Sequence, residues 1–252
     1  MNHEDALAWA DGHVKAVEAE LHAYWRKNPT ILGRKFDGET GEFVHRLLPR
    51  RLPDNPDWVL LVGDALHNMR VALDYLAFHI VNKYPDAPAA DQISFPIRKQ
   101  STNYPSLASR CLGNGVPAEF KRRIENLQPK YRRDAEDTEP LFLLDELERI
   151  HKHRRLLSGQ PRISFVELDG PGRNIEIVEV SPREGRFDEP TELYRYRVVD
   201  AAKAIKEPKL TVRQYVCFDE IGPAHGMPVV STLQLISDHI RYVIFIELKD
   251  FV

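Results

Sequence analysis

The chain has 252 residues, a formal net charge of -3 and a sequence pI of about 6.4. Hydrophobic residues make up 42% and charged residues 29% of it, which excludes a disordered or fibrous protein and is typical of a globular one. Because the charge is nearly balanced, nucleic-acid binding would have to come from a local basic patch. Two cysteines, Cys111 and Cys217, are too few for a disulfide framework and suit a reducing compartment.

Neither end of the sequence is expected to carry a signal peptide or a membrane-spanning segment. Met1 to Asp5 lacks the cationic and then apolar pattern of a signal peptide. The longest apolar-rich stretch, Val243 to Leu248, is much shorter than the roughly 20 residues that cross a bilayer. We therefore expect a cytoplasmic protein with no membrane partner.

Helical periodicity predicts four long helices, which we expect to form one antiparallel bundle. The second helix is apolar nearly all round, which is typical of a buried helix, and Ser231 is the expected N-cap of the last one. Two shorter helices are predicted at 101–112 and 117–127. The four long helices lie near residues 5–27, 58–83, 140–157 and 231–249.

Short alternating segments predict strands in two parts of the chain. Ile31–Phe36 and Glu42–Leu48 flank the turn-rich Asp37–Gly41 and predict an N-terminal β-hairpin. Later segments predict a C-terminal antiparallel sheet beside the bundle, from 162–168, 174–180, 193–199 and 210–218. The sequence thus predicts one α+β domain over 1–252, with a helical core at 1–160 and 231–252 and a β-rich insertion at 161–220.

The second long helix carries a strip of polar residues that is unusual for a buried helix. Asp64, His67, Arg70 and Asp74 fall within about a third of the helix circumference, and Asn68 lies beside them. Apolar side chains interleave with this strip, so we do not expect it to be freely solvated. These apolar residues are Val71, Tyr75 and Phe78.

The third long helix brings a second set of charged groups. His151 and Arg154 continue its apolar stripe, so both should point inward or to a rim, whereas Lys152 and His153 point elsewhere. We expect the two helices to share a charged interior in which Asp64 and Asp74 face the basic groups. Such groups either line a cleft that binds phosphate or runs acid–base chemistry, or form a network that only fixes the fold.

A metal site is a further alternative. Asp64-x-x-His67 and Glu148-x-x-His151 both resemble the carboxylate-x-x-His pairs of di-metal bundles. Glu18 or Glu20 and Asp238 or Glu247 would supply the remaining carboxylates. Asp64 stands where such sites have Glu, and nearby Arg and Lys side chains would repel a cation. The leading expectation is therefore no metal, and the absence of nucleotide-binding glycine motifs predicts no cofactor.

Basic clusters recur at 121–133 and 152–155, which makes a local electropositive surface plausible. A further cluster is Arg50-Arg51.

Several short motifs resemble those of a family of uncharacterised bacterial proteins. They are Gly63-Asp64-Ala65-Leu66-His67-Asn68-Met69-Arg70 with Ala72 and Asp74, the Asp37–Glu42 hairpin turn, Ser94–Ile97, Leu127–Pro129 and Lys152-His153-Arg154. The resemblance covers about residues 1 to 160 and implies no known activity.

At a greater distance the helical core is similar to the HEPN-like bundles, many of which are RNases or nucleotide-binding partners in defence and toxin–antitoxin systems. Their catalytic Arg and His have four to six residues between them. Here Arg70 and His79 have eight between them, and Arg149 and His153 have three, so the RNase motif is not matched.

The resemblance implies a protein that binds RNA, a nucleotide or a phosphorylated ligand between the 58–83 and 140–157 helices, as a homodimer or with a protein partner. The candidate catalytic residues are His67, Arg70 and His153. The candidate binding residues are Asp64, Asn68, Asp74, His151, Lys152 and Arg154. The open alternative is a non-enzymatic structural or partner-binding protein whose buried charges specify the fold.

Overall fold

The computed structural model describes residues 2–29, 31–48, 57–98, 104–129, 139–153, 159–169, 174–180, 185–186, 190–200, 202, 209–219 and 222–252. Within these ranges the backbone alone is described for residues 153, 163–169, 185–186 and 209–214.

The chain is an α+β protein that divides into two compact units, each built from separate stretches of sequence. The first comprises Met1–Glu20, Asn55–Ser158 and Phe218–Val252, and the second comprises Leu21–Asp54 and Gly159–Cys217.

The predicted helices are present, with shifted ends. They are α1 (His3–Lys27), whose last turns belong to the second unit, α2 (Asp57–Val81), α3 (Tyr104–Leu112), α4 (Ala118–Asn126), α5 (Pro140–His153), α6 (Val229–His239) and α7 (Phe245–Leu248). Residues 154–157, at the predicted end of the third long helix, lie outside the described residues.

The core of the first unit is built on α2, as its apolar pattern predicts. Its main apolar face is fully buried, and α2 packs against both α5 and α6. Because one helix contacts two neighbours, two broad sides of it must be apolar, which explains why its sequence is apolar nearly all round. The buried face comprises Val62, Leu66, Met69, Leu73, Leu76 and Ile80.

The last helix departs from its prediction at its start and in its middle. Ser231 is not the N-cap: α6 begins at Val229, after Pro228, whose backbone is extended. The Thr232 hydroxyl donates a hydrogen bond to the Pro228 carbonyl (2.7 Å), so that carbonyl is already satisfied within the first turn. A π-helical turn, Ile240–Ile244, separates α6 from α7, and a 3₁₀ turn, Lys249–Phe251, ends the run.

By length and composition the run Val229–Phe251 could cross a membrane, since it has 23 residues and its most apolar 18-residue window has a mean hydropathy of 1.3. This corrects the expectation that Val243–Leu248 is the longest apolar segment. Almost half of its most apolar window is buried within the protein, and Leu233, Ile236 and Ile240 have no exposed surface. A core helix passes the same test, so the run is weak evidence for a membrane span.

The second unit contains two sheets. The strands are β1 (Leu32–Asp37), β2 (Glu42–Leu47), β3 (Gly159–Asp169), β4 (Ile175–Val180), β5 (Gly185–Arg186), β6 (Thr191–Val198) and β7 (Lys209–Phe218). One sheet is antiparallel with the order β1-β2-β6-β4, and the other has the order β5-β3-β7.

The predicted hairpin is confirmed, with Leu32 opposite Leu47 and Asp37 opposite Glu42. Gly41 closes its turn at φ +70°, a conformation that glycine adopts without strain. The sequence placed this hairpin apart from the C-terminal strands, but β2 pairs with β6, so that Phe43 lies opposite Tyr196. Hairpin and later strands therefore share one sheet and one small core, made of Leu47, Ile175, Leu193, Tyr194 and Tyr196.

Candidate functional site on α2 and α5

Arg70 on α2 is held on several sides. Its Nε donates to Asp74 Oδ2 (3.3 Å), and one Nη donates to the carbonyl oxygen of Phe95 (2.8 Å). The other Nη lies 3.9 Å from Asp145 Oδ1 on α5. Because the Arg70 side chain is only 17% exposed, its guanidinium acts as a junction between α2, the segment around Phe95 and α5.

Asp74 completes this junction from one turn further along α2. Its Oδ1 accepts a hydrogen bond from the backbone N–H of Phe95 (2.9 Å). Arg70 and Asp74 together therefore satisfy both backbone polar groups of Phe95, whose side chain has no exposed surface. A buried backbone group needs such partners when no strand supplies them.

Gln128 does the same for the next part of that segment. Its side-chain nitrogen donates to the Pro96 carbonyl (2.9 Å) and its oxygen accepts from the Arg98 N–H (2.9 Å). The Ser94–Ile97 and Leu127–Pro129 motifs thus contact each other, and the buried Gln128 side chain holds the segment that contains Pro96.

Asp145 was not among the predicted site residues. Burial raises the pKa of its carboxyl, the charges of Glu146 and Glu148 raise it further, and the nearby Arg70 opposes them. Its spacing could have revealed it, because Asp145, Glu148 and Lys152 follow one another at three and four residues along α5 and so share a face.

Glu148 gathers the basic groups at the rim of the α2–α5 contact. Its Oε1 lies 3.6 Å from Nδ1 of His67 and 2.5 Å from Nζ of Lys152. The Glu148 side chain is only 13% exposed, whereas that of His67 is 55% exposed. A carboxylate that is mostly shielded from water thus meets two exposed basic side chains.

His151 lies against α2 at Gly63. A Cβ added to Gly63 would fall 2.0 Å from Nε2 of His151, so only glycine leaves room for the imidazole in this position. Nδ1 of His151 is buried and makes no hydrogen bond within the described part of the chain. This contact explains the glycine that opens the Gly63–Arg70 motif.

The structure brings some of the predicted residues together and leaves others apart. His67, Arg70 and Asp74 meet groups of α5 or the Phe95 segment, but Asp64 is exposed to solvent. Asn68 donates to the Asp64 carbonyl within α2 (2.8 Å). The expectation that this strip is not freely solvated is therefore wrong at Asp64 and at His67, which are exposed to solvent.

The basic groups expected from the end of α5 are described only in part. Lys152 is exposed, as expected. The side chain of His153 and the whole of Arg154 lie outside the described residues. The predicted pairing of Arg154 with Asp64 and Asp74 therefore also lies outside them. The basic positions 50–51, 130, 132–133 and 155 also lie outside them.

Three described basic residues of the predicted electropositive surface, Arg122, Arg123 and Lys152, are paired with carboxylates. Arg122 and Arg123 both donate to Glu119, at 2.7 Å and 3.0 Å, and Lys152 contacts Glu148. This pairing reduces the positive field that an anionic polymer would meet there.

The four residues of the metal alternative do not converge. Among the residues that the structure describes, no group of three or more His, Cys, Asp or Glu side chains is placed to hold a metal ion. Asp64, His67, Glu148 and His151 contribute one contact of this kind, the approach of His67 to Glu148.

No protein-family model matches this chain, and no curated protein or solved structure matches it significantly. What the protein does therefore has to be inferred from its own contacts.

Proposed function

We propose that the protein is a non-enzymatic binding protein. The charged residues of its α2–α5 face serve to specify the fold and carry out no catalysis. The observation that supports this most directly is the saturation of Arg70 by Asp74, the Phe95 carbonyl and Asp145. An arginine that binds phosphate presents a free fork of N–H donors to its ligand. Arg70 turns that fork toward the protein itself.

The charges around Arg70 support the same proposal. Asp74 and Asp145 contact it directly, and Glu148 lies on the same face of α5 as Asp145. An anionic ligand at this position would meet these carboxylates before it met a free cation. A network of this kind holds two helices and a loop in register without binding anything else.

The test compares the unfolding free energies of Arg70→Met and Arg149→Met with that of the wild type. Arg149 is the matched control, because it is 41% exposed and pairs with Glu146 one turn away on the same helix. We expect Arg70→Met to lose about 2 kcal/mol or more, since it leaves the buried Phe95 carbonyl without its donor. Arg149→Met should lose less than about 1 kcal/mol.

An Arg70→Met protein as stable as the control variant would count against the proposal, because Arg70 would then not hold the fold. Equilibrium denaturation by urea, followed by circular dichroism, provides the measurement.

A second candidate function is favoured by the rim. His67 and Lys152 are exposed and converge on Glu148, an arrangement that suits acid–base chemistry on a phosphodiester. In this reading α1, α2, α5 and α6 correspond to a HEPN-like bundle, and the rim binds RNA, a nucleotide or a phosphorylated ligand. Degradation of labelled total RNA that is abolished in His67→Ala, with the fold intact, would favour this candidate over the first.

A further inference from the structure

A groove in the first unit lies nearer the C-terminal end of α2 than the His67 rim does. It has a volume of about 780 Å³ and is formed by the start of α1, the C-terminal part of α2 and the segment from α7 to the last residues. Sites for small organic molecules have volumes of about 300–1,000 Å³. The groove is therefore large enough for a ligand of that class.

Aromatic rings form the walls of this groove. Tyr75 and Phe78 stand one turn apart on α2 and are 38% and 42% exposed, although most of that helix is buried. Phe245 contributes from α7, and its ring meets that of His3 edge-to-face, with the centroids 4.8 Å apart. Flat apolar faces that are open to solvent suit a planar ring, which can stack on them.

The polar groups of the groove set the charge of the ligand. Lys249 is exposed and follows Phe245 by one turn, so both project from the same side of that segment. The first turn of α1 offers less to an anion, because Asn2 and Asp5 already exchange hydrogen bonds of 2.8 Å and 3.0 Å. Lys249 is therefore the group best placed to meet a negative charge.

His3 adds hydrogen-bonding capacity more than charge. Burial lowers the pKa of His3, and the neighbouring His79 lowers it further, while Glu4 and Asp5 oppose the shift. A neutral imidazole offers one donor and one acceptor to a heterocycle or a hydroxyl group. Glu4 also lines the groove and disfavours a ligand with several negative charges.

We propose that this groove binds a small planar aromatic molecule that carries one anionic group. The ring would lie between Phe245 and the Tyr75–Phe78 wall, with the anionic group at Lys249. This inference rests on the proposed function in one respect, since it names a ligand for a binding protein. It uses none of the α2–α5 contacts. The anionic group has two natural sources, a phosphate monoester and a carboxylate.

Isothermal titration calorimetry of the full chain separates these sources. One arm uses adenosine 5′-monophosphate, a second uses 2-naphthoate, and a third uses adenosine as a planar ligand without a charge. Phe78→Ala removes one aromatic wall, and Leu60→Ala is its control, because Leu60 is a 53% exposed apolar residue of the same helix outside the groove. Lys249→Gln removes the cation, and Lys15→Gln, at an exposed lysine of α1, is its control.

We expect at least one of the two anions to bind, with an affinity that falls about tenfold in Phe78→Ala, as for the loss of one stacking contact. Lys249→Gln should weaken the anion and leave adenosine unchanged. Neither control variant should change any affinity by more than about twofold.

Binding of the monophosphate alone identifies the phosphate source, and binding of the naphthoate alone identifies the carboxylate source. No heat of binding for either anion at millimolar concentration overturns the proposal. Equal loss of affinity in Phe78→Ala and Leu60→Ala also overturns it. The ligand affinities measured here and the unfolding free energy of Arg70→Met are independent readouts. A failure of this proposal is therefore distinguishable from a failure of the proposed function.

Discussion

The imidazole of His151 occupies the space where any other residue at position 63 would place its Cβ, which would lie 2.0 Å from Nε2. Gly63 is buried in the middle of α2, where glycine destabilises a helix by about 1 kcal/mol relative to alanine. The close approach of α5 explains why glycine is present there.

Gly63→Ala should therefore destabilise the protein by about 1–3 kcal/mol, because the gain in helix propensity is smaller than the overpacking. In a His151→Ala background the same change should be neutral or stabilising, since the obstructing ring is gone. Thermal and urea denaturation of the four proteins of this cycle measure the reversal. A destabilisation that persists in the His151→Ala background would mean that another neighbour of Gly63 is responsible.

Asp74→Ala should lose about 2–3 kcal/mol of stability. The change leaves the Phe95 N–H buried without its acceptor and deprives Arg70 of a carboxylate. Asp74→Asn should lose less, because an amide oxygen still accepts from Phe95. Asp64→Ala is the control, and its exposed position predicts a change within about 0.5 kcal/mol. Equal stability of Asp74→Ala and Asp64→Ala would contradict the role of Asp74.

Asp145 predicts a pH dependence of stability. Its carboxyl has a raised pKa in the folded protein, so the folded state holds this proton more tightly than the unfolded state does. By linkage, ionisation of this carboxyl lowers the free energy of unfolding as pH rises through its pKa in the folded state. Below its pKa in the unfolded state, the free energy of unfolding is not lowered.

Asp145→Asn should remove this contribution, so that the stability of the variant relative to wild type rises with pH across that window. The Asp145 side chain is 44% exposed, so we expect a small effect. Denaturation midpoints between pH 3 and pH 7 provide the measurement. A relative stability that falls with rising pH would show that the pairing with Arg70, and not burial, dominates.

Glu119 should titrate far below an ordinary glutamate. Hydrogen bonds from Arg122 and Arg123 lower the pKa of its carboxyl to about 2. In Arg122→Gln, NMR titration of the Glu119 carboxyl carbon should show this pKa moving up toward the usual value of 4.5. No movement in that variant would indicate that the Arg122 contact is not kept in solution.

Arg123 also joins α4 to the end of the chain. It donates to the Glu247 carbonyl (2.8 Å) and to Asp250 Oδ2 (3.2 Å). Arg123→Gln should therefore increase hydrogen exchange in residues 247–252, which include Lys249 of the groove. Arg122→Gln is the matched control, because Arg122 is directed to Glu119. Equal exchange in the two variants would contradict this role.

Local periodicity was sufficient to predict the helices, the hairpin and the buried face of α2, because these depend on neighbours within a few residues. It was not sufficient to predict the contacts of Arg70. The partners of Arg70 include a backbone carbonyl 25 residues away and Asp145 on another helix. Packing determines which face α5 presents to α2. A single sequence carries little information about this packing.

The groove was missed for a related reason. Tyr75 and Phe78 were predicted to interleave with the polar strip and to keep it from being freely solvated, but both are themselves partly exposed. Their exposure depends on where α1 begins and α7 ends, and the π-helical turn at Ile240–Ile244 changes the direction in which Phe245 and Lys249 project. A regular helical period cannot place residues that follow such a turn.

The pairing of β2 with β6 has a consequence for the synthesis of the chain. Phe43 and its partner Tyr196 are separated by about 150 residues. A ribosome adds about 5–20 residues per second, so the hairpin waits on the order of 10 to 30 s before β6 exists. Phe43, together with Phe36 in β1, is without that partner strand during this interval. The nascent chain therefore carries this hairpin with the pairing edge of β2 open during that time, which favours aggregation or the binding of a chaperone there.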